Sequence, residues 1–244
     1  MSGHSKWSTI KHAKGIADAK RGALFTKFIK EISIAAKMGG GDPDSNPRLR
    51  TAMLKAKAAS MPKDNIERAI KKGTGELGAV SYEELVYEGY APGGVAVLVD
   101  VLTDNKNRTA ANVRSAFTKG SGSVGTPGCV SYMFDEKGQI IIDKEECDMD
   151  ADELMMIALD GGAEDFNEEE DSFEIITSKD DFSQVRTALE DANITMASAE
   201  VTKLPQNYVS LTDPDAVKCL QRTLDLLDED DDVQAVYTNW EEEE

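Results

Sequence analysis

The chain has 244 residues with a net charge of −19; hydrophobic residues make up 40% and charged residues 30%. This is the composition of a folded globular protein, and no apolar run approaches the roughly 18 residues that would cross a bilayer, so no membrane partner is expected. Cys129, Cys147 and Cys219 are far apart and form no Cys-x-x-Cys pair, which argues for a reducing compartment and against a disulfide framework or a structural zinc site. The N-terminus has no apolar core segment of a secretory signal, so the expected location is the cytoplasm.

The charge is unevenly spread. Residues 1–75 hold sixteen Lys/Arg against six Asp/Glu, a net of +10, and the remaining 169 residues carry −29. A basic module joined to strongly acidic ones points to contact with nucleic acid or another polyanion.

Residues 20–37 read as an amphipathic helix. Leu24, Phe25, Phe28, Ile29, Ile32 and Ala36 share one arc of the wheel, and Lys20, Lys27, Lys30 and Lys37 fall on the opposite arc, where they are expected to face solvent. Gly39, Gly40 and Gly41 stop it. Asn46 and Pro47 suit the cap and first turn of a second helix, 47–60, with Leu49, Met53 and Ala56 inward and Arg48, Lys55 and Lys57 outward. Pro62 opens a third helix with Ile66, Ala69 and Ile70 inward and Gly73 as its stop.

After a linker at 73–80 the period changes. Val95–Leu102 is a buried-strand run, 108–119 a helix with Val113, Ala116 and Phe117 inward, and 130–134 a strand. Ile140–Ile142 begin a further strand, followed by helix 151–160, strands 163–168 and 173–177, helix 180–192 and strand 198–204, a β-α-β-β-α-β order of ferredoxin-like type. Thr212-Asp213-Pro214 opens a helix with the inward stripe Val217, Leu220, Leu224 and Leu227, and Val233, Ala235 and Tyr237 alternate as a last strand. The expected class is α+β: an N-terminal helical bundle followed by two α/β domains, one inserted in the other. The expected division is a basic helical domain at 1–78, an α/β domain at 79–134 plus 206–240, an inserted ferredoxin-like domain at 135–205, and an acidic tail at 241–244.

Catalytic chemistry is poorly supplied. His4 and His12 are the only histidines, and both lie in the basic leading segment, so no Ser-His-Asp or Cys-His arrangement avoids them. The runs Glu145–Glu146, Glu168–Asp171, Asp180–Asp181 and Asp228–Asp232 read as solvated turns and caps; a carboxylate-dependent hydrolase is a remote alternative. Gly73-Thr-Gly75-Glu-Leu-Gly78 and Gly120-Ser-Gly122-Ser-Val-Gly125 have the spacing of a dinucleotide loop, but each follows a helix rather than a strand, and no cofactor is expected. The loop 120–128 is a weaker candidate for holding a phosphate on backbone N–H groups.

The basic set works together. Lys6, Lys11, Lys14, Lys20 and Arg21 are followed by Lys27, Lys30, Arg48, Arg50, Lys55, Lys57 and Lys63, with Arg68, Lys71 and Lys72 behind them. Clustered cations bind polyanions because each neutralised phosphate releases counterions, and Trp7 and His12 add rings able to stack on bases.

Gly3-His-Ser-Lys-Trp7, Asp18-Ala-Lys-Arg-Gly22, Gly39-Gly-Gly-Asp-Pro43, Asn46-Pro-Arg-Leu-Arg50, Tyr87-Glu-Gly-Tyr90, Asp104-Asn-Lys-Asn-Arg-Thr109 and Gly161-Gly-Ala-Glu-Asp165 together resemble the YebC family along essentially the whole chain. The resemblance implies a helical domain followed by two α/β domains of ferredoxin-like character and no enzymatic activity. Family members are labelled DNA-binding transcriptional regulators, while others, including mitochondrial translational activators of a cytochrome oxidase subunit, look like ribosome-associated factors that bind RNA. The motif residues on the helical domain coincide with the basic set, and Arg108 is carried over from the second domain. The expected protein is a monomeric regulator of gene expression that grips DNA or ribosomal RNA, alone or on the ribosome, by charge and shape.

Overall fold

The structure, a computed structural model, describes residues 18–78 and 81–241, with the backbone alone for 18–21. Three helices open it: α1 (Asp18–Gly39), α2 (Pro47–Ala58) and α3 (Lys63–Gly73). Asn46 joins the first two. Its Oδ1 accepts the Leu49 N–H at 3.1 Å as the cap of α2, while its Nδ2 donates to the carbonyls of Ala35 and Gly40 at the end of α1. Gly39 fits because a Cβ there would meet the Asn46 amide at 2.6 Å. Ile32, Ala35, Ala36, Leu49, Ala52, Ala56, Met61, Ile66 and Ala69 fill the bundle core. Gly73 is more than a helix stop. It faces Ser33 of α1, and a Cβ would lie 2.2 Å from the Ser33 carbonyl oxygen, so the α1–α3 approach requires glycine.

The next elements build an antiparallel sheet: β1 (Glu83–Tyr90), β2 (Ala96–Thr103), then helix α4 (Lys106–Lys119) and the short β3 (Ser123–Val124). Asn105 caps α4 by accepting the Arg108 N–H at 3.1 Å. The strand expected at 130–134 is instead a 3-10 turn at Ser131–Met133. The Glu88 carboxylate accepts the N–H groups of Gly128 and Val130 at 2.7 and 2.8 Å, and Tyr90 Oη donates to the Cys129 carbonyl, so side chains take the bonds a neighbouring strand would have made. Strand β3 pairs with β1 in its place.

Strand β4 (Phe134–Asp143), helix α5 (Ala151–Asp160), β5 (Ala163–Glu168), β6 (Ser172–Ser178), helix α6 (Phe182–Asp191) and β7 (Ser198–Pro205) follow. Ile140–Ile142 close β4 rather than open a strand. The sheet order β5-β6-β4-β7, antiparallel at each pairing, is that of a ferredoxin-like fold, with Ile140, Ile142, Phe173 and Ile175 packed against Leu154, Ala158, Val185 and Leu189 of the helices. Last come β8 (Val209–Ser210), α7 (Pro214–Asp228), β9 (Val233–Thr238) and β10 (Trp240–Glu241). Strand β9 returns to the first sheet, whose order is β3-β1-β2-β9, and β10 pairs in parallel with β8.

The described residues pack as two units. One runs through Val130 and resumes at Thr212–Thr238; it holds the three helices, the first sheet, α4 and α7. The other holds Ser131–Leu211 and continues from Asn239.

Candidate nucleic-acid interface

The sequence of α2, Pro-Arg-Leu-Arg-Thr-Ala-Met-Leu-Lys-Ala-Lys-Ala, contains no acidic residue. Its inward residues are Leu49, Ala52 and Ala56, so Arg50, Lys55 and Lys57 are exposed, with Leu54 exposed among them. On α3, burial of Ile66, Ala69 and Gly73 turns Lys63, Arg68, Lys71 and Lys72 outward. Arg50 donates to the carbonyls of Pro43 and Asp44, and Lys63 lies 3.4 Å from Glu67. Clustered exposed cations attract phosphate by charge and carry no code for base edges.

Four residues of the expected set are used inside the protein. Lys27 and Lys30 do not face solvent; they are 9% and 7% exposed. Lys27 Nζ donates to the Asp228 carbonyl at 2.7 Å and lies 3.3 Å from its carboxylate. Lys30 Nζ donates to the Asp231 carbonyl at 2.7 Å and to Asp232 Oδ1 at 2.6 Å. The wheel misplaced them because α1 is packed on two sides: apolar residues meet the bundle core, and the lysines enter an acidic turn two hundred residues away in sequence. Arg48, expected outward, is half-buried between Glu31 and Glu84, whose carboxylates raise its pKa further. Arg108 grips Asp232 with Nε at 3.1 Å and Nη2 at 2.7 Å, and also bonds Asp104 at 2.9 Å.

Asp232 is therefore a node, 2% exposed, that accepts bonds from Lys30, Arg108 and Thr109. Burial pushes its carboxyl upward, but the hydrogen bonds from Lys30, Arg108 and Thr109 and the Lys30 charge outweigh that and hold it at about 2. The backbone fixes it as well: the Leu102 N–H donates to the Asp232 carbonyl, and the Asp232 N–H to Asp230 Oδ1. Reading Asp228–Asp232 as a solvated run missed this, because the lysines it meets lie two hundred residues away and no local signal selects this run among the acidic ones. A cleft of about 640 Å³ opens beside the node and is lined by Lys30, Arg108, Asn112, Lys119, Tyr82 and Asp230 among others.

The loop 120–128, considered as a phosphate cradle, has its Gly128 N–H occupied by Glu88, and the Gly125 N–H donates to the Glu88 carbonyl. Of the remaining expected residues, Lys6, Trp7, Lys11, His12 and Lys14 lie outside the described residues, as do the side chains of Lys20 and Arg21.

The sequence model of the TACO1/YebC N-terminal domain matches residues 5–76, and that of the TACO1/YebC second and third domain matches residues 82–240. The chain belongs to the TACO1/YebC family. Relatives of this YebC-family chain include a protein of Lachnoclostridium phytofermentans, 63% identical over 99% of the chain and 100% of the relative, and one of Treponema denticola, 63% identical over 99% and 96%; both are named "Probable transcriptional regulatory protein". A solved structure, a conserved hypothetical protein from Aquifex aeolicus, matches with a TM-score of 0.82 at 46% identity over 93% of each chain.

Proposed function

We propose that this protein is a non-enzymatic regulator of gene expression that binds nucleic acid through the outer faces of α2 and α3. The observation that carries the reading is the exposed set Arg50, Lys55, Lys57, Lys63, Arg68, Lys71 and Lys72, interrupted on these helices only by Asp64 and Glu67, in a chain that carries −29 outside its first 75 residues. The acidic remainder repels phosphate and so orients the basic end toward it. The names of the relatives support a role in the regulation of transcription.

A second reading is an RNA-bound factor working on the ribosome. It is favoured by the second unit, where Lys137, Lys144, Lys179 and Arg186 are each paired with a glutamate of the same unit, leaving a strongly anionic surface suited to basic proteins.

The test is a sucrose gradient of tagged protein with sequencing of crosslinked nucleic acid. Enrichment of promoter DNA in ribosome-free fractions supports the first reading, and ribosome co-sedimentation with crosslinks to ribosomal RNA supports the second. If neither nucleic acid is enriched over a variant carrying Lys57→Glu, Lys63→Glu and Lys71→Glu, the proposal is wrong.

A further inference from the structure

The three helices pack chiefly on one another, and few contacts join them to the sheet elements of the same unit. Among the described residues, the polar links that do so join Lys27 to the Asp228 carbonyl and carboxylate, Lys30 to the Asp231 carbonyl and the Asp232 carboxylate, and Arg48 to Glu84. A small polar interface between modules permits relative motion by default. Its acidic half does not depend on the helices. Arg108 and Thr109 bind the Asp232 carboxylate, and Leu102 and Asp230 fix its backbone, so the turn keeps its shape when Lys30 leaves. Its basic half is two ammonium groups held by carboxylate and carbonyl oxygens, the same chemistry a phosphate offers. The adjoining cleft brings solvent and ions to Lys30 and Arg108.

We infer that the acidic turn Asp228–Asp232 is an internal competitor for nucleic acid: it clasps Lys27 and Lys30 in the free protein and yields them to phosphates when a polynucleotide is bound. The inference rests on the nucleic-acid reading above and adds its regulation. The clasp is the closed state of an equilibrium, and a ligand shifts it because the open state presents two further cations. Nucleic acid bound on α2 and α3 sits on the module that carries these lysines, so the same event that recruits phosphate loosens the clasp.

Asp228 is the member to remove, because its carboxylate is largely exposed and Asp232 keeps the turn in place. Asp225, an exposed carboxylate one turn earlier on α7, controls for the simple loss of a negative charge. Wild type, Asp228→Ala and Asp225→Ala would be titrated with a labelled 20-base-pair DNA duplex and a labelled RNA hairpin over a range of salt. Spin labels at Thr51 and Thr118, both exposed and outside the basic set, in a background with the three cysteines replaced by serine, would report the distance between α2 and α4 with and without the probe.

The expected result is binding at least threefold tighter for Asp228→Ala than for Asp225→Ala, with equal slopes of log K against log salt, because the complexes neutralise the same phosphates and only the competitor differs. The label distance lengthens on probe addition. Equal affinities for the two variants, or a distance that does not move in a bound complex, overturn the clasp and leave the nucleic-acid reading standing. Failure of wild type to bind either probe overturns both.

Discussion

Replacing Asp232 with Asn removes the carboxylate that the Lys30 ammonium and the Arg108 guanidinium share, while the Lys30 side chain stays largely buried. The structure allows the size of the effect to be worked out from two directions. Holding the carboxyl at about 2 instead of its ordinary 3.8 corresponds to about 2 kcal/mol of native-state stabilisation at ~1.4 kcal/mol per pH unit. Because the folded pKa lies below the unfolded one, this stabilisation is complete above the unfolded pKa and disappears as pH falls toward 2. Deleting one partner of a buried ion pair costs more than the pair contributes, about 3–5 kcal/mol, since the surviving charge stays desolvated. Asp232→Asn is therefore expected to lose several kcal/mol at pH 7, and Lys30→Met with Asp232→Asn to recover part of that. Urea unfolding at pH 7, 4 and 2.5 measures the loss, and exchange of the Leu102 amide, bonded to the Asp232 carbonyl, reports on the unit concerned. A change of under 1 kcal/mol at pH 7, or a loss that persists unchanged at pH 2.5, refutes the description of the node.

Three further outcomes follow from the structure. Gly73→Ala places a methyl against the Ser33 carbonyl and is expected to lower the melting temperature by an amount equivalent to about 1–3 kcal/mol, measured by calorimetry. Asn46→Ala removes the cap of α2 and two bonds to α1, and is expected to cost at least ~1 kcal/mol in the same assay. Glu88→Ala unlatches the loop over Gly125–Val130; exchange of the Gly128 and Val130 amides is expected to accelerate by at least tenfold, consistent with charge-assisted bonds of about 1.5–3 kcal/mol each.

Much of the fold could be read from local signals. Asn46-Pro47 and Asp213-Pro214 are helix starts whose side chains bond the first turn, and the structure places helices after each; the helix read from residue 108 begins instead at Lys106, with Asn105 as its cap. The β-α-β-β-α-β order came from alternating periods and reappears with ferredoxin-like strand order. The errors share a cause: partners distant in sequence. Nothing near Val130 signals that Glu88, forty-two residues back, takes its N–H, and nothing near Lys30 signals Asp232, two hundred and two residues on. The same limit applied to the candidate interface. Composition identified the basic module, and helical spacing put Lys55 and Lys57 outside, but only the folded chain shows that Lys27, Lys30, Arg48 and Arg108 are held by carboxylates distant in sequence.

The salt dependence of polynucleotide affinity, compared between wild type and the Lys57→Glu, Lys63→Glu, Lys71→Glu variant, tests the central claim most directly. The expected result is a linear fall of log K with log salt for wild type, and a slope shallower by about two to three in the variant, with far-UV circular dichroism unchanged. Binding that ignores salt, or a folded variant whose affinity and slope equal those of wild type, would contradict it.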